Sequence, residues 1–175
     1  MDIFLINTYS ADNVSPELLE KFGHKKISDL KKKKVHCFSY LMTDRILKEV
    51  YKIDNRELEF VKGKPYLITR EKYLSISHSG KYILIAFSDN ECGADTEQIK
   101  NRDYKSIAKR MNFNASDLDE FYEEWTKYEA QYKLGEKYSA IFQTKFENYM
   151  ICCLSTNINE NFEIYIQNGD NFSNI

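Results

Sequence analysis

Proline and glycine are scarce in this chain, two and six among 175 residues, and no short-period repeat or low-complexity stretch interrupts it. That excludes a flexible linker and a solenoid. The four cysteines, Cys37, Cys92, Cys152 and Cys153, show no CxxC spacing, and adjacent thiols do not readily bridge to each other. A disulfide framework and a zinc site are therefore not expected, and reduced thiols predict a cytoplasmic protein. Eighteen consecutive apolar residues occur nowhere, and the opening MDIFLINTYS lacks a basic region followed by a long apolar run. Neither a signal peptide nor a membrane span is expected. A formal net charge of -2 gives no global pull toward nucleic acid.

With 42% hydrophobic residues, the chain can bury a sizeable core as one large domain or two small lobes. Its charges are patchy. Lys31 to Lys34 form one basic run, Lys100, Arg102, Lys105, Lys109 and Arg110 a second, and Asp117 to Glu124 hold five carboxylates. Strands are predicted at Ile3 to Thr8, Leu58 to Val61, Tyr66 to Ile68 and Leu74 to His78, with Lys62-Gly63-Lys64-Pro65 as a turn. The apolar run Tyr82 to Phe87 reads as a buried strand, with Cys92 to Glu97 returning antiparallel beside it. Tyr149 to Ser155 and Phe162 to Gln167 complete the strands. Helices are predicted at Pro16 to Phe22, at Leu41 to Tyr51 after the lysine run, at Lys105 to Met111, and at Ser116 to Leu134 with Ser116 as N-cap. This order predicts an α+β protein with a first lobe over residues 1–90 and a second over 91–175.

Glu129 carries the most information. Leu118, Phe121, Tyr122, Trp125 and Tyr132 form the apolar stripe of the last helix, and helical spacing puts Glu129 within it. A carboxylate so placed requires a partner, which can be a metal ion, a lysine or an arginine. Lys133, one turn on, either supplies an ion pair or faces an anionic ligand. Asp95 and Glu97 lie two residues apart on a predicted strand and point to one side, where a cation would relieve their repulsion. Clustered carboxylates without a histidine pattern suit Mg²⁺. The segment Ser75-Ile76-Ser77-His78-Ser79-Gly80 adds hydroxyls and an imidazole suited to a phosphate or ribose.

These residues fall into ordered blocks: Gly63-Lys64-Pro65-Tyr66 with Ile76-Ser77-His78-Ser79, then Gly93-Ala94-Asp95-Thr96-Glu97, then Trp125-Thr126-Lys127-Tyr128-Glu129-Ala130 with Lys133. The set resembles the Sfp-type 4'-phosphopantetheinyl transferases over about residues 57 to 135. The resemblance implies a pseudo-two-fold pair of α+β lobes that transfers the 4'-phosphopantetheine arm of coenzyme A to a serine of an acyl or peptidyl carrier protein, releasing 3',5'-ADP. It implies Mg²⁺ on Asp95, Glu97 and Glu129. Lys64, Ser77 and His78 would hold the nucleotide end of coenzyme A, with His78 near its 3'-phosphate and Lys133 on the pyrophosphate. Glu129, directly or through a metal-bound water, would accept the serine proton, which with Lys133 makes the expected catalytic pair. The partners expected are coenzyme A and the carrier, which docks on the basic stretch Lys100 to Arg110, with no nucleic acid and no membrane, and the protein is expected to be a monomer. Where the family carries a lysine before its third-block glutamate, this chain has Tyr128. A Mg²⁺-dependent nucleotide pyrophosphatase and a non-catalytic coenzyme-A- or carrier-binding paralogue are the alternative expectations.

Overall fold

A computed structural model describes residues 1–22, 27–168 and 171–174. It is a mixed α+β structure with several sheets. Strand β1 (Asp2–Asn7) leads through a 3-10 turn and helix α1 (Pro16–Phe22) to the long helix α2 (Leu30–Glu49). Strands β2 (Leu58–Val61) and β3 (Lys64–Leu67) form a separate hairpin, followed by β4 (Tyr73–Ser79) and β5 (Tyr82–Ser88). Strand β6 (Cys92–Gln98), helices α3 (Tyr104–Met111) and α4 (Leu118–Leu134), and strands β7 (Ala140–Phe146), β8 (Tyr149–Ser155), β9 (Glu163–Asn168) and β10 (Asn171–Asn174) complete the order.

One sheet runs β10-β9-β1-β5-β4 and another β6-β8-β7. In both, a first strand is followed by a helical segment and an antiparallel hairpin whose second strand pairs antiparallel with the first. The last strands return to the first sheet, because β9 pairs parallel to β1 and β10 pairs with β9.

Strand alternation makes the layers. Phe4, Ile6, Ile83, Ile85 and Phe87 face α2 in one core, while Ile3, Leu5, Leu84 and Ala86 pack in another against Ala94, Tyr149, Ile151 and Cys153 of the second sheet. The outer face of that sheet takes α4, with Met150 beneath Phe121 and Tyr122 and with Cys152 and Leu154 beneath Ala130 and Leu134. Central strands are thus buried on both faces, and β5 and β8 read as continuous apolar runs.

Several expectations are corrected. Helix α2 begins at Leu30, capped by Asp29, whose Oδ1 accepts from the Lys32 amide at 3.1 Å. The lysine run therefore lies inside the helix, as the good helix propensity of lysine permits. Asp117, not Ser116, caps α4, accepting from the Glu120 amide at 2.9 Å, while Glu120 Oε2 accepts from the Ser116 amide and hydroxyl at 2.7 Å. The hairpin turn is Lys62-Gly63, both at positive φ, so Lys64 and Pro65 already belong to β3. Strand β6 does not return beside β5 but opens the second sheet by pairing with β8. Strands β7 and β10 are additional to those expected. Among the described residues, no helix is long and apolar enough to cross a membrane.

Candidate functional site

The site begins with a close approach of backbones. A Cβ added to Gly93 of β6 would lie 2.1 Å from the Ala130 carbonyl oxygen and 2.7 Å from the Leu134 amide nitrogen. Glycine there lets α4 lie directly on the strand. The contact brings Lys133 over β6, where its Nζ donates to Asp95 Oδ1 at 2.7 Å and to the Ala94 carbonyl at 3.1 Å. On the other side of Asp95, the Ser77 hydroxyl of β4 donates to the same Oδ1 at 2.7 Å.

Asp95 is 4% exposed, and its second oxygen, Oδ2, is buried without a hydrogen-bond partner. Leaving a buried charged acceptor unpaired costs on the order of 1–3 kcal/mol or more. Glu97 accepts from the Ser79 hydroxyl at 2.8 Å. Burial pushes its carboxyl above the ordinary glutamate range and the charge of Asp95 adds to the rise, against the pull of Ser79, Trp125 and Lys133. Glu129 is half-buried on α4. It is raised first by burial and then by the charge of Asp95, with Lys133 opposing. Asp95 is therefore the centre of a cluster in which two further carboxylates feel its field.

The buried face of α4 runs through Phe121, Tyr122, Thr126, Ala130 and Leu134. Glu129 flanks this face instead of lying in its middle, and Tyr132, expected on the stripe, is 78% exposed. Tyr128 is a little under half exposed, with its ring 5.9 Å from Phe113 and 6.4 Å from Trp125. It extends the aromatic cluster under α3.

Lys64 reaches the start of β6, donating to Glu91 Oε2 at 2.7 Å and to the Cys92 carbonyl at 3.0 Å. With Lys133, Gly63, Tyr66 and Tyr132 it lines a cleft of about 730 Å³, within the size range of small-molecule sites. His78 does not join the cluster. Alternation puts it on the face of β4 opposite Ser77, and it is exposed. The basic residues Lys100, Arg102, Lys105, Lys109 and Arg110 are all exposed, with the Arg102 guanidinium 5.8 Å from the centre of the Phe121 ring.

The structure thus gathers Asp95, Lys133 and Ser77 in direct contact and brings Glu97 and Glu129 within electrostatic reach. Among the described residues, no three His, Cys, Asp or Glu side chains stand close enough together to hold an ion as they are. The donor set nevertheless fits a hard divalent cation. It offers carboxylate oxygens, one of them orphaned, and two acids whose charged forms are disfavoured by their surroundings. Sequence reasoning missed three participants: Gly93 as the packing point, Trp125 beside Glu97, and Ser79 as the partner of Glu97. For Ser79 the alternation Ser75-x-Ser77-x-Ser79 is the visible trace. No protein-family model matches the chain, and no curated protein matches it.

Proposed function

We propose that the chain is a Mg²⁺-dependent 4'-phosphopantetheinyl transferase of the Sfp type, acting on coenzyme A and a serine of an acyl or peptidyl carrier protein. One observation carries this reading. Residues from blocks far apart in sequence meet at one carboxylate oxygen, where Ser77 and Lys133 both donate to Asp95 Oδ1, and the charge of Asp95 reaches Glu97 and Glu129. The repeated order of strand, helix and hairpin in the two sheets is in keeping with the pseudo-two-fold pair of lobes that the resemblance implies, although β9 and β10 join the first sheet.

Asp95, Glu97 and Glu129 would hold the ion, which would neutralise charge on the diphosphate when bound. The chain's own groups supply the rest. Lys133 carries a positive charge at the mouth of the cleft, suited to a phosphate oxygen, and Lys64 brings a second ammonium to the same cleft. Glu129, half-buried on α4, is the candidate general base for the carrier serine hydroxyl. Charge neutralisation and in-line positioning suffice for such a transfer, with no covalent nucleophile on the enzyme.

The test is transfer of a fluorescent coenzyme A label to an apo carrier protein, with and without EDTA. Label on the carrier that EDTA abolishes is the expected result. Glu129→Gln should abolish transfer while preserving the circular dichroism spectrum. Near-normal turnover in that variant would remove Glu129 from the chemistry.

A further inference from the structure

Strands β4 and β6 lie side by side but belong to different sheets, with no backbone ladder between them. Serine hydroxyls join them instead. Ser75 Oγ accepts from the Ala94 amide at 2.9 Å, Ser77 Oγ donates to Asp95 Oδ1 at 2.7 Å, and Ser79 Oγ accepts from the Gln98 amide at 3.0 Å while donating to Glu97 Oε2 at 2.8 Å. Numbering rises together on the two strands, so they run in the same direction. Side chains two residues apart on a strand recur every roughly 6.6 Å, so a row of hydroxyls on β4 matches a row of carboxylates on β6.

We propose that Ser77 and Ser79 are positioning residues that aim the Asp95 and Glu97 carboxylates toward a divalent cation. This role rests on the metal-dependent reading above. It differs from the one that the family resemblance implies for Ser77, which is contact with the nucleotide. A hydroxyl has one hydrogen to donate. That of Ser77 is committed to Asp95, and the residue is 7% exposed. Both hydrogen-bonding functions of Ser79 are engaged by β6. Without these bonds Asp95 Oδ1 keeps only Lys133 and Glu97 loses its Ser79 donor, so each carboxylate is held by fewer contacts and its orientation is less defined. Ser75 is an internal control, because it bonds only the backbone of Ala94 and touches neither acid.

Mn²⁺ serves as the probe, with the free ion counted by electron paramagnetic resonance and stability followed by thermal unfolding. Ser77→Ala and Ser79→Ala should weaken Mn²⁺ binding by about 10-fold or more, the usual effect of removing a group that orients a metal ligand. Ser79→Thr should restore it. Ser75→Ala should lower the unfolding temperature and leave Mn²⁺ affinity at the wild-type value. Ser79 is only half-buried, so its variants test the idea even where Ser77→Ala does not fold. In transfer assays the two serine variants should lose kcat with KM for coenzyme A little changed. Wild-type Mn²⁺ affinity in both Ser→Ala variants overturns the proposal, and so does a raised KM for coenzyme A in Ser77→Ala with Mn²⁺ affinity intact. An equal loss of affinity in Ser75→Ala would reduce the comb to general stability and overturn it too. A wild type that binds no Mn²⁺, or binds it indifferently to Asp95→Asn, overturns the metal-dependent reading and this proposal with it.

Discussion

Replacing Gly93 by alanine should damage both the fold and the acidic site, and the size of the effect follows from the packing. The new Cβ would sit 2.1 Å from the Ala130 carbonyl oxygen and 2.9 Å from Leu134 Cβ, whereas carbon and carbonyl oxygen normally approach no closer than about 3.3 Å. Both neighbours belong to the backbone or root of α4, so no rotamer change relieves the contact. Helix and strand must separate by about 1 Å. Overpacking of this kind costs about 1–3 kcal/mol, and a clash with backbone belongs at the upper end. For a chain of this size about 3 kcal/mol corresponds to a fall of about 6–12 °C in the unfolding midpoint. The same shift would stretch the 2.7 Å bond between Lys133 and Asp95 beyond hydrogen-bonding length. Gly135→Ala is the control. Its φ is +82 and nothing lies within 4 Å of the added Cβ, so only the left-handed backbone is penalised, by about 1–2 kcal/mol. Thermal unfolding by circular dichroism measures both. A Gly93→Ala midpoint at or above that of Gly135→Ala would refute the claim that α4 rests on Gly93.

Removing the ammonium in Lys133→Met leaves Asp95 buried with Ser77 alone, and should cost about 3 kcal/mol, the low end for a broken buried pair because Lys133 itself is partly exposed. Adding Asp95→Asn should recover much of that loss in urea denaturation, and strict additivity would deny the coupling. Glu97 is raised in the folded protein above its ordinary value of 4.5, so its favourable contribution is full below that value and is lost as pH rises through the folded pKa. Glu97→Gln without metal should therefore gain stability relative to wild type as pH increases across that window, and a pH-independent difference between the two melting curves would count against it. All four cysteines are buried, and burial pushes the thiols of Cys92 and Cys152 up to about 12. A chromogenic disulfide reagent should label none of them in the native protein and all four in denaturant, and rapid native labelling would contradict the packing.

The strands that sequence made legible are those whose both faces are covered. Tyr149 to Ser155 and Tyr82 to Phe87 stood out as apolar runs because each is wedged between a helix layer and the opposite sheet. Strand β7 escaped notice because it is an edge strand with half-exposed positions such as Gln143 and Lys145, and β10 because Asn171 to Asn174 carries one apolar residue. The partner of β6 was illegible for another reason. Cys92 to Gln98 is joined to its neighbour β5 by a short turn, which favours a local hairpin, yet β6 pairs with β8 from Ser155 back to Tyr149. Local pattern does not encode a choice made by burying Ala94 against Ile3 and Leu5. At the site, the period of two that relates Asp95 to Glu97 and the i, i+4 spacing of Glu129 and Lys133 were readable. The hydroxyls of Ser75, Ser77 and Ser79 that meet β6 were legible only as groups suited to a phosphate or ribose, because the sequence does not show that β4 lies beside β6.

The position of the acids follows from the layering. A carboxylate in the middle of β8, where every residue is buried, would meet apolar neighbours on both faces and would be neutralised or expelled. Strand β6 is an edge, with the hydroxyls of β4 beside it and α4 above it, so an acid there finds donors without leaving the interior. Those donors are unevenly distributed. Asp95 Oδ1 receives two bonds and Oδ2 none. Counted formally, the three carboxylates of Asp95, Glu97 and Glu129 against the ammonium of Lys133 leave two negative charges, and the carboxyls of Glu97 and Glu129 are raised first by burial and then by the charge of Asp95. A buried cluster with this imbalance can resolve it by protonation or by a cation. Under the proposed metal-dependent reading, a divalent ion would match it in charge and in its preference for oxygen, and would compete with protons for the same carboxylates.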